Sequence, residues 1–475
     1  MTDGRLRDLF KKPDILGGSI VPTLFLLGWP IMLESLLQTA YNLTDTYWLG
    51  NMGKEAGKEA LAATQISFPL IWLMVSVGTG FGVAAIALVS QHTGAKHFEE
   101  ADKDAGQLML FFLIFSIIIA VIGFIITPAL INTVIIDDPM VAQKGVRFMR
   151  TIFVGQPFMF VYMAFAFLLR AYGDTITPMK LTLLSVGSNI VLDPLFIYGI
   201  GPFPEWGIFG AAFATVVTRA AAATVALYLL FNYKVGIHLK LKNMKPHLKR
   251  LKKFLKIGAP ASIGNSGTAL GFVLLTFVIA RVDNSTAALA GYNAGDRILG
   301  LMFIFMGGLA VAMSTMIGQN LGADKKERAD KVVKKGLMTL AGIMAVFTLV
   351  LFLFRTEFII VFNQDPEVIN IGTRFLLIFS LSMPFFGVFR GVNAVFEGSG
   401  HTKYQMGLNL VRLWGLRVPL AFLFALYLGL QSDGVWIGMA TSNVIAALVA
   451  LVLLSTGIWK EKVIEEKSKA SEVTS

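Results

Sequence analysis

Ala105–Ile131 reads AGQLMLFFLIFSIIIAVIGFIITPALI, 27 consecutive residues without one charged side chain. A helix of that length rises about 40 Å, more than the roughly 30 Å of a hydrocarbon core. In lipid every backbone N–H and C=O must be bonded within the segment or around a closed barrel. The run has no polar–apolar alternation, so it reads as a transmembrane helix. Eleven further runs of similar character flank it: Val21–Leu49, Ala63–Ser90, Arg147–Ala171, Met179–Ile200, Gly207–Phe231, Phe254–Val282, Gly291–Gln319, Val332–Leu353, Thr373–Phe396, Tyr404–Leu430 and Gly434–Ile458. The expected fold class is therefore an all-α polytopic membrane protein with about twelve spans. Its connections are too short for a soluble catalytic domain, so any function is built inside the bilayer.

Composition agrees. The 475 residues are 55% hydrophobic and 15% charged, with mean hydropathy +0.69, whereas soluble domains run about 45–50% apolar and about 25% charged. Absence of cysteine removes thiolate nucleophiles, disulfides and soft-metal sites. Met1–Asp14 is polar and leads straight into the first span, so no cleavable signal peptide is expected. The net charge of +11 would suggest nucleic acid in a soluble protein. Here it reflects basic loops on one membrane face, and no nucleic-acid partner is expected.

Those basic residues fix an expected orientation. Arg5, Arg7, Lys11 and Lys12 precede the first span; Lys234 to Lys256 fill the mid-chain connection; Lys325 to Lys335 follow the eighth span; Lys460, Lys462, Lys467 and Lys469 lie in the tail. All fall on one side if both termini are cytoplasmic in a cell membrane. LKRLKKFLK at Leu248–Lys256 reads as a topology anchor and linker, or as a surface helix for anionic lipid.

The chain also repeats. Gln91-His-Thr-Gly94-Ala95 recurs as Gln319-Asn-Leu-Gly322-Ala323, and Gly80 as Gly308, at an offset of 228; Gly173 with Met179 recurs as Gly400 with Met406 at 227. Six spans per repeat return the chain to the same face, so the two halves are parallel repeats about a pseudo-twofold axis along the membrane normal. The expected organisation is a cytoplasmic segment 1–20, a first lobe 21–232, a basic linker 233–253, a second lobe 254–458 and a cytoplasmic tail 459–475.

Ionisable groups inside spans mark pathways because they are costly there. Glu34, Gln38, Tyr41 and Asp45 recur at helical spacing and form one polar face of the first span. Asn189 and Asp193 share a face of the fifth, where Pro194 frees a carbonyl one turn earlier, and Thr215 adds a hydroxyl from the sixth. These hard oxygens suit Na+ or a proton relay, with a sodium site expected at Asp45, Asn189, Asp193 and Thr215. Glu34 is a secondary candidate. The second half does not copy the pair: with Pro194 set on Pro419, Val418 and Trp414 stand where Asp193 and Asn189 would be. Of its own charged residues Asp296, Arg297, Arg390, Glu397, Arg412 and Arg417, several are expected near helix ends or paired with each other. Gly78-Thr-Gly80-Phe-Gly82 lies mid-span without a strand or basic residues and reads as close helix packing, not a nucleotide loop. The histidines have no metal-ligand spacing, and no catalytic residue or cofactor is expected.

Three segments together resemble the multidrug and toxic compound extrusion family, in its prokaryotic branch related to the DNA-damage-inducible transporters: Gly28-Trp-Pro30 through Tyr41-Asn-Leu-Thr-Asp45, Gly173-Asp-Thr-Ile-Thr-Pro-Met179, and Asn189-Ile-Val-Leu-Asp193-Pro194. The resemblance covers essentially the whole chain. It implies a V-shaped pair of six-helix bundles that exports cationic or amphipathic compounds against inward Na+ or H+. It further implies that Asp45 and Asp193 form a coupling site with Tyr41, Asn189 and Thr215, that Gln38 and Tyr41 border the substrate cavity with Asp45 and Asn189, and that the first span bends at Pro30. The sequence departs from the family pattern in the fourth span, with Ala166 and Ala171 flanking Arg170, while the second half keeps Asn393 and Gly398. A flippase of lipid-linked saccharides shares the architecture and stands as the alternative, with Arg170 and Arg219 the first-half arginines available to face a diphosphate. Membrane lipid and small amphiphiles are the expected partners, and a monomer the expected state.

Overall fold

Lipid leaves the apolar runs no option but to close their hydrogen bonds locally, and in the computed structural model, which describes residues 13–134 and 138–464, all regular structure among the described residues is helical. The helices are α1 (Ile20–Gly50), α2 (Lys54–Gly94), α3 (Phe98–Val134), α4 (Pro139–Tyr172), α5 (Ile176–Tyr198), α6 (Ile208–Phe231), α7 (Leu248–Ile279), α8 (Ser285–Gly322), α9 (Lys326–Ile360), α10 (Pro366–Ser380), α11 (Met383–Ser399), α12 (Thr402–Leu410), α13 (Val418–Phe422) and α14 (Gln431–Ser455). Among the described residues eleven continuous helical stretches are long and apolar enough to span, and α10 with α11 makes a twelfth. The basic Arg5, Arg7, Lys11, Lys12, Lys467 and Lys469 lie outside the described residues.

Two spans differ from the expected continuous helices. The tenth, read as Thr373–Phe396, starts earlier and is bent by 53° between α10 and α11. Pro384, in the first turn of α11, has no N–H to offer Ser380 four residues back; the Thr348 hydroxyl of α9 donates to that carbonyl instead, at 2.8 Å. Thr348→Val therefore leaves a buried carbonyl unbonded. It should cost about 1–3 kcal/mol, read as a lower melting temperature in detergent, whereas Thr339→Val, which loses only an exposed bond within its own helix, should not shift it. The eleventh span is α12, a π-helical stretch Val411–Arg417, α13 and a second π-helical stretch Leu423–Tyr427. Pro419 cannot bond back to Gly415, and the backbone widens around it. The linker also ends sooner than expected: α7 begins at Leu248, so LKRLKKFLK is the first turns of the seventh span and not a separate surface helix. The preceding segment is held to α3 by Gln107, whose amide donates to the Asn243 and Lys245 carbonyls at 2.7 Å each.

The sequence repeat is repeated in local chemistry. Asp138 caps α4, accepting from the Met140 and Val141 amides with Pro139 opening the helix; Asp365 does the same for α10 with Pro366. Gly173 and Gly400 end α4 and α11 at φ of +91° and +82°, where a side chain would be strained.

The halves also trade parts. The hydrophobic core of the second half takes in Ile15, Ile20, Leu24, Leu27 and Met32 from the start of the chain, while the core of the first half takes in Phe254 and Ile257 from the start of α7. Such crossing demands close backbone approach: a Cβ at Gly80 would collide with the backbone of Ser262 on α7, and one at Gly308 with Met32 and the Gly28 carbonyl on α1. That is the packing role expected of the α2 glycines.

At the end of the bundle that carries the first described turn and the tail, α2 and α8 lock across the pseudo-twofold. Gln91 donates to the Ser399 carbonyl at 3.1 Å, and its equivalent Gln319 donates to the Ala171 carbonyl at 2.9 Å. A Cβ at Gly94 would overlap the Gln319 carbonyl, and one at Gly322 the Gln91 carbonyl.

Candidate functional site

The polar residues of α1, α5 and α6 meet within the first half. Asp193 and Asn189 are fully buried on one face of α5, and the Asn189 amide donates to Asp193 Oδ1 at 3.0 Å. Asp45 of α1, half-buried, lies beside Asp193. One turn earlier, Tyr41 is hydrogen-bonded to Thr215 on α6, and Thr215 donates to the Ala211 carbonyl at 3.0 Å. Among the described residues, three buried oxygens in this cluster receive no N–H or hydroxyl donor: Asp45 Oδ1, Asn189 Oδ1 and Asp193 Oδ2. Buried acceptors are normally satisfied, and two carboxylates side by side repel unless a proton or cation joins them. The arrangement is chemically one for taking up a small cation.

The single polar face expected on α1 divides on folding. Tyr41 and Asp45 join the carboxylate cluster. Glu34, buried, is bound instead by Arg170 of α4 and by the Thr182 hydroxyl at 3.4 Å, away from Asp193. Gln38 is exposed and donates to Asn42 at 3.4 Å. Pro30 lies within the continuous helix α1.

Arg219 is a neighbour that the sequence reading placed only as a possible diphosphate contact. Its guanidinium stands 5.7 Å from the Tyr41 ring centre and donates to the Met159 sulfur at 3.0 Å. It follows Thr215 by four residues, so the i, i+4 rule that joined Asn189 to Asp193 would have found it.

In the second half, Arg390 pairs with Glu397 at 2.7 Å, as expected. Arg412 and Arg417 correct the expectation of mutual pairing among charged residues. Both are buried, at 3% and 2% exposure, and neither touches a carboxylate among the described residues. Arg412 donates to Asn443 Oδ1 at 3.3 Å; Arg417 donates to the same oxygen at 2.6 Å and to the Ser442 hydroxyl at 3.2 Å. Asp296 and Arg297 are exposed.

The MatE family profile matches residues 30–195 and 260–423. Among curated proteins the chain is 29% identical over 449 residues to the probable multidrug resistance protein YoeA of Bacillus subtilis, covering 93% of this chain and 94% of that one. It is 26% identical over 447 residues to the probable multidrug resistance protein NorM of Thermotoga maritima, covering 94% and 95%. Among solved structures it resembles a MATE in complex with MaL6, at TM-score 0.86 and 24% identity over 94% of this chain and 97% of that one. An outward-facing multidrug resistance MATE transporter of the MOP superfamily matches at TM-score 0.85 and 24% identity over 94% and 98%.

Proposed function

The chain belongs to the MatE family, and on that premise we propose that it is a secondary active multidrug exporter, driven by inward H+ or Na+ through the carboxylate cluster of its first half. The observation that carries the coupling site is the meeting of three unpartnered buried oxygens, from Asp45, Asn189 and Asp193. A cationic amphiphile and the coupling ion compete for the same negative charge, and that exclusion is sufficient for exchange. With Asp45 and Asp193 ionised, the cluster attracts the organic cation. Once a proton or Na+ occupies it, the attraction is cancelled, Tyr41 and Gln38 release the substrate outward, and α1 changes its bend at Pro30. The basic end is cytoplasmic in this scheme, so the Gln91 and Gln319 lock closes the inner side of a cell-membrane monomer.

A flippase would need first-half arginines free to meet a diphosphate. Arg170 is engaged by Glu34, which favours the exporter.

The test is export of a fluorescent organic cation from proteoliposomes under separately imposed sodium and pH gradients. The parent should respond to one of them, and Asp45→Asn to neither. Equal export by Asp45→Asn would remove the cluster from the mechanism.

A further inference from the structure

A cavity of about 320 Å³ lies where α2 of the first half meets α7, α11 and the eleventh span of the second. That is within the range of small-ligand sites. Arg412 lines it together with Arg390, Asn265, Asn393 and Asn409. The π-helical stretch explains why two arginines gather beside it. In an α-helix, residues five apart diverge by about 140°; hydrogen bonding to the fifth residue stacks them, so Arg412 and Arg417 reach the same Asn443 oxygen.

Their charge is poorly answered. Guanidinium stays protonated in proteins, and burying it without a counter-charge is expensive. The Asn443 oxygen is shared, and the Arg412 Nε–H has no hydrogen-bond partner though it is buried. What else faces Arg412 is aromatic, the Phe386 and Phe389 rings at 4.9 and 5.1 Å. Of the nearby carboxylates, Glu397 is taken by Arg390 and by the Gln405 amide at 2.9 Å, and Asp296 acts on Arg417 only through space. On the cavity wall itself two cations, Arg390 and Arg412, meet one anion, Glu397.

We propose that this cavity binds the oxyanion of an amphiphile, a carboxylate or phosphate, with Arg412 as its principal partner and the Phe386, Phe389 and Trp72 side chains against its apolar part. The site is separate from the carboxylate cluster, opposite to it in charge, and gives the exporter a means of holding zwitterionic or anionic compounds that the first half repels. Its existence does not depend on the coupling scheme.

Binding of octyl phosphate, octanoate and octyltrimethylammonium to purified protein in non-ionic detergent, measured by calorimetry without any gradient, tests this. The two anions should bind and the cation should not compete with them. Arg412→Gln should weaken anion binding by about tenfold or more, about 1.4 kcal/mol per decade. Should Arg412→Gln fail to fold, Asn409→Asp, a near-isosteric change on the cavity wall, should weaken the anions to a similar extent. Asp193→Asn should leave them unchanged, which separates this site from the transport reading. Native mass spectrometry decides the source: a phospholipid retained by the parent and lost from the variants identifies a lipid headgroup, and its absence from both identifies free organic anions. Displacement of the bound anions by octyltrimethylammonium, no anion binding by the parent, or variants that keep the parent's anion affinity would overturn the proposal.

Discussion

Asp193→Asn is expected to reduce gradient-driven accumulation by about 5- to 150-fold, the span of a typical coupling free energy, without lowering the melting temperature. Asparagine keeps the Oδ1 acceptor that receives the Asn189 amide at 3.0 Å. It discards only the charge centred on the unpartnered Oδ2. Removing one of two adjacent buried carboxylate charges relieves their repulsion and does not weaken the fold, so lost transport in this variant reports on mechanism. Solute uptake down its gradient, followed in the same vesicles, should persist if the alternation of access survives. Parent-like accumulation by Asp193→Asn would assign the carboxylate a packing role and leave the driving ion to another site.

The second large effect is expected at Gly322. Valine there meets the Gln91 carbonyl of α2 at a distance no side chain tolerates, and so must part α2 from α8 at the basic end. Overpacking of this kind costs about 1–3 kcal/mol, which moves an equilibrium between closed and open forms by roughly fivefold to more than a hundredfold. The chain has no cysteine, so a single Ser399→Cys, at a fully buried residue beside the lock, offers a clean probe. Labelling by a water-soluble thiol reagent should be slow in the parent background and at least about fivefold faster with Gly322→Val. Equal rates would mean that the lock is not what holds this end shut.

Much of this was legible before the structure, for reasons particular to lipid. The runs from Ala105–Ile131 outward announce helices because no other conformation satisfies an isolated segment in hydrocarbon, and the 228-residue offset exposes the duplication. Asp45, Asn189 and Asp193 stand out because polar groups are costly there. Helical spacing alone, though, cannot say which part of a polar face meets which neighbour: Glu34 lies seven residues before Tyr41 and turns to Arg170, and Gln38 looks outward. Nor could a period of 3.6 residues bring Arg412 and Arg417 together. That depends on a widened backbone around Pro419, and proline shows that a helix is disturbed without showing how the disturbance is absorbed.

The exchange of core residues between halves bears on how the protein is made. When the ribosome has delivered α1, the residues that cover Leu24, Leu27 and Met32 have not been synthesised; Met306, Leu309 and Met313 belong to the same core but follow almost three hundred residues later. The first span must therefore wait in the bilayer, shielded by lipid or by the insertion machinery, until α8 arrives. A fragment ending after α6 would carry an orphaned apolar face on α1 and would itself lack Phe254 and Ile257. Separately expressed halves should accordingly be short-lived in cells and rescue one another when produced together, because neither gene fragment encodes a finished interior.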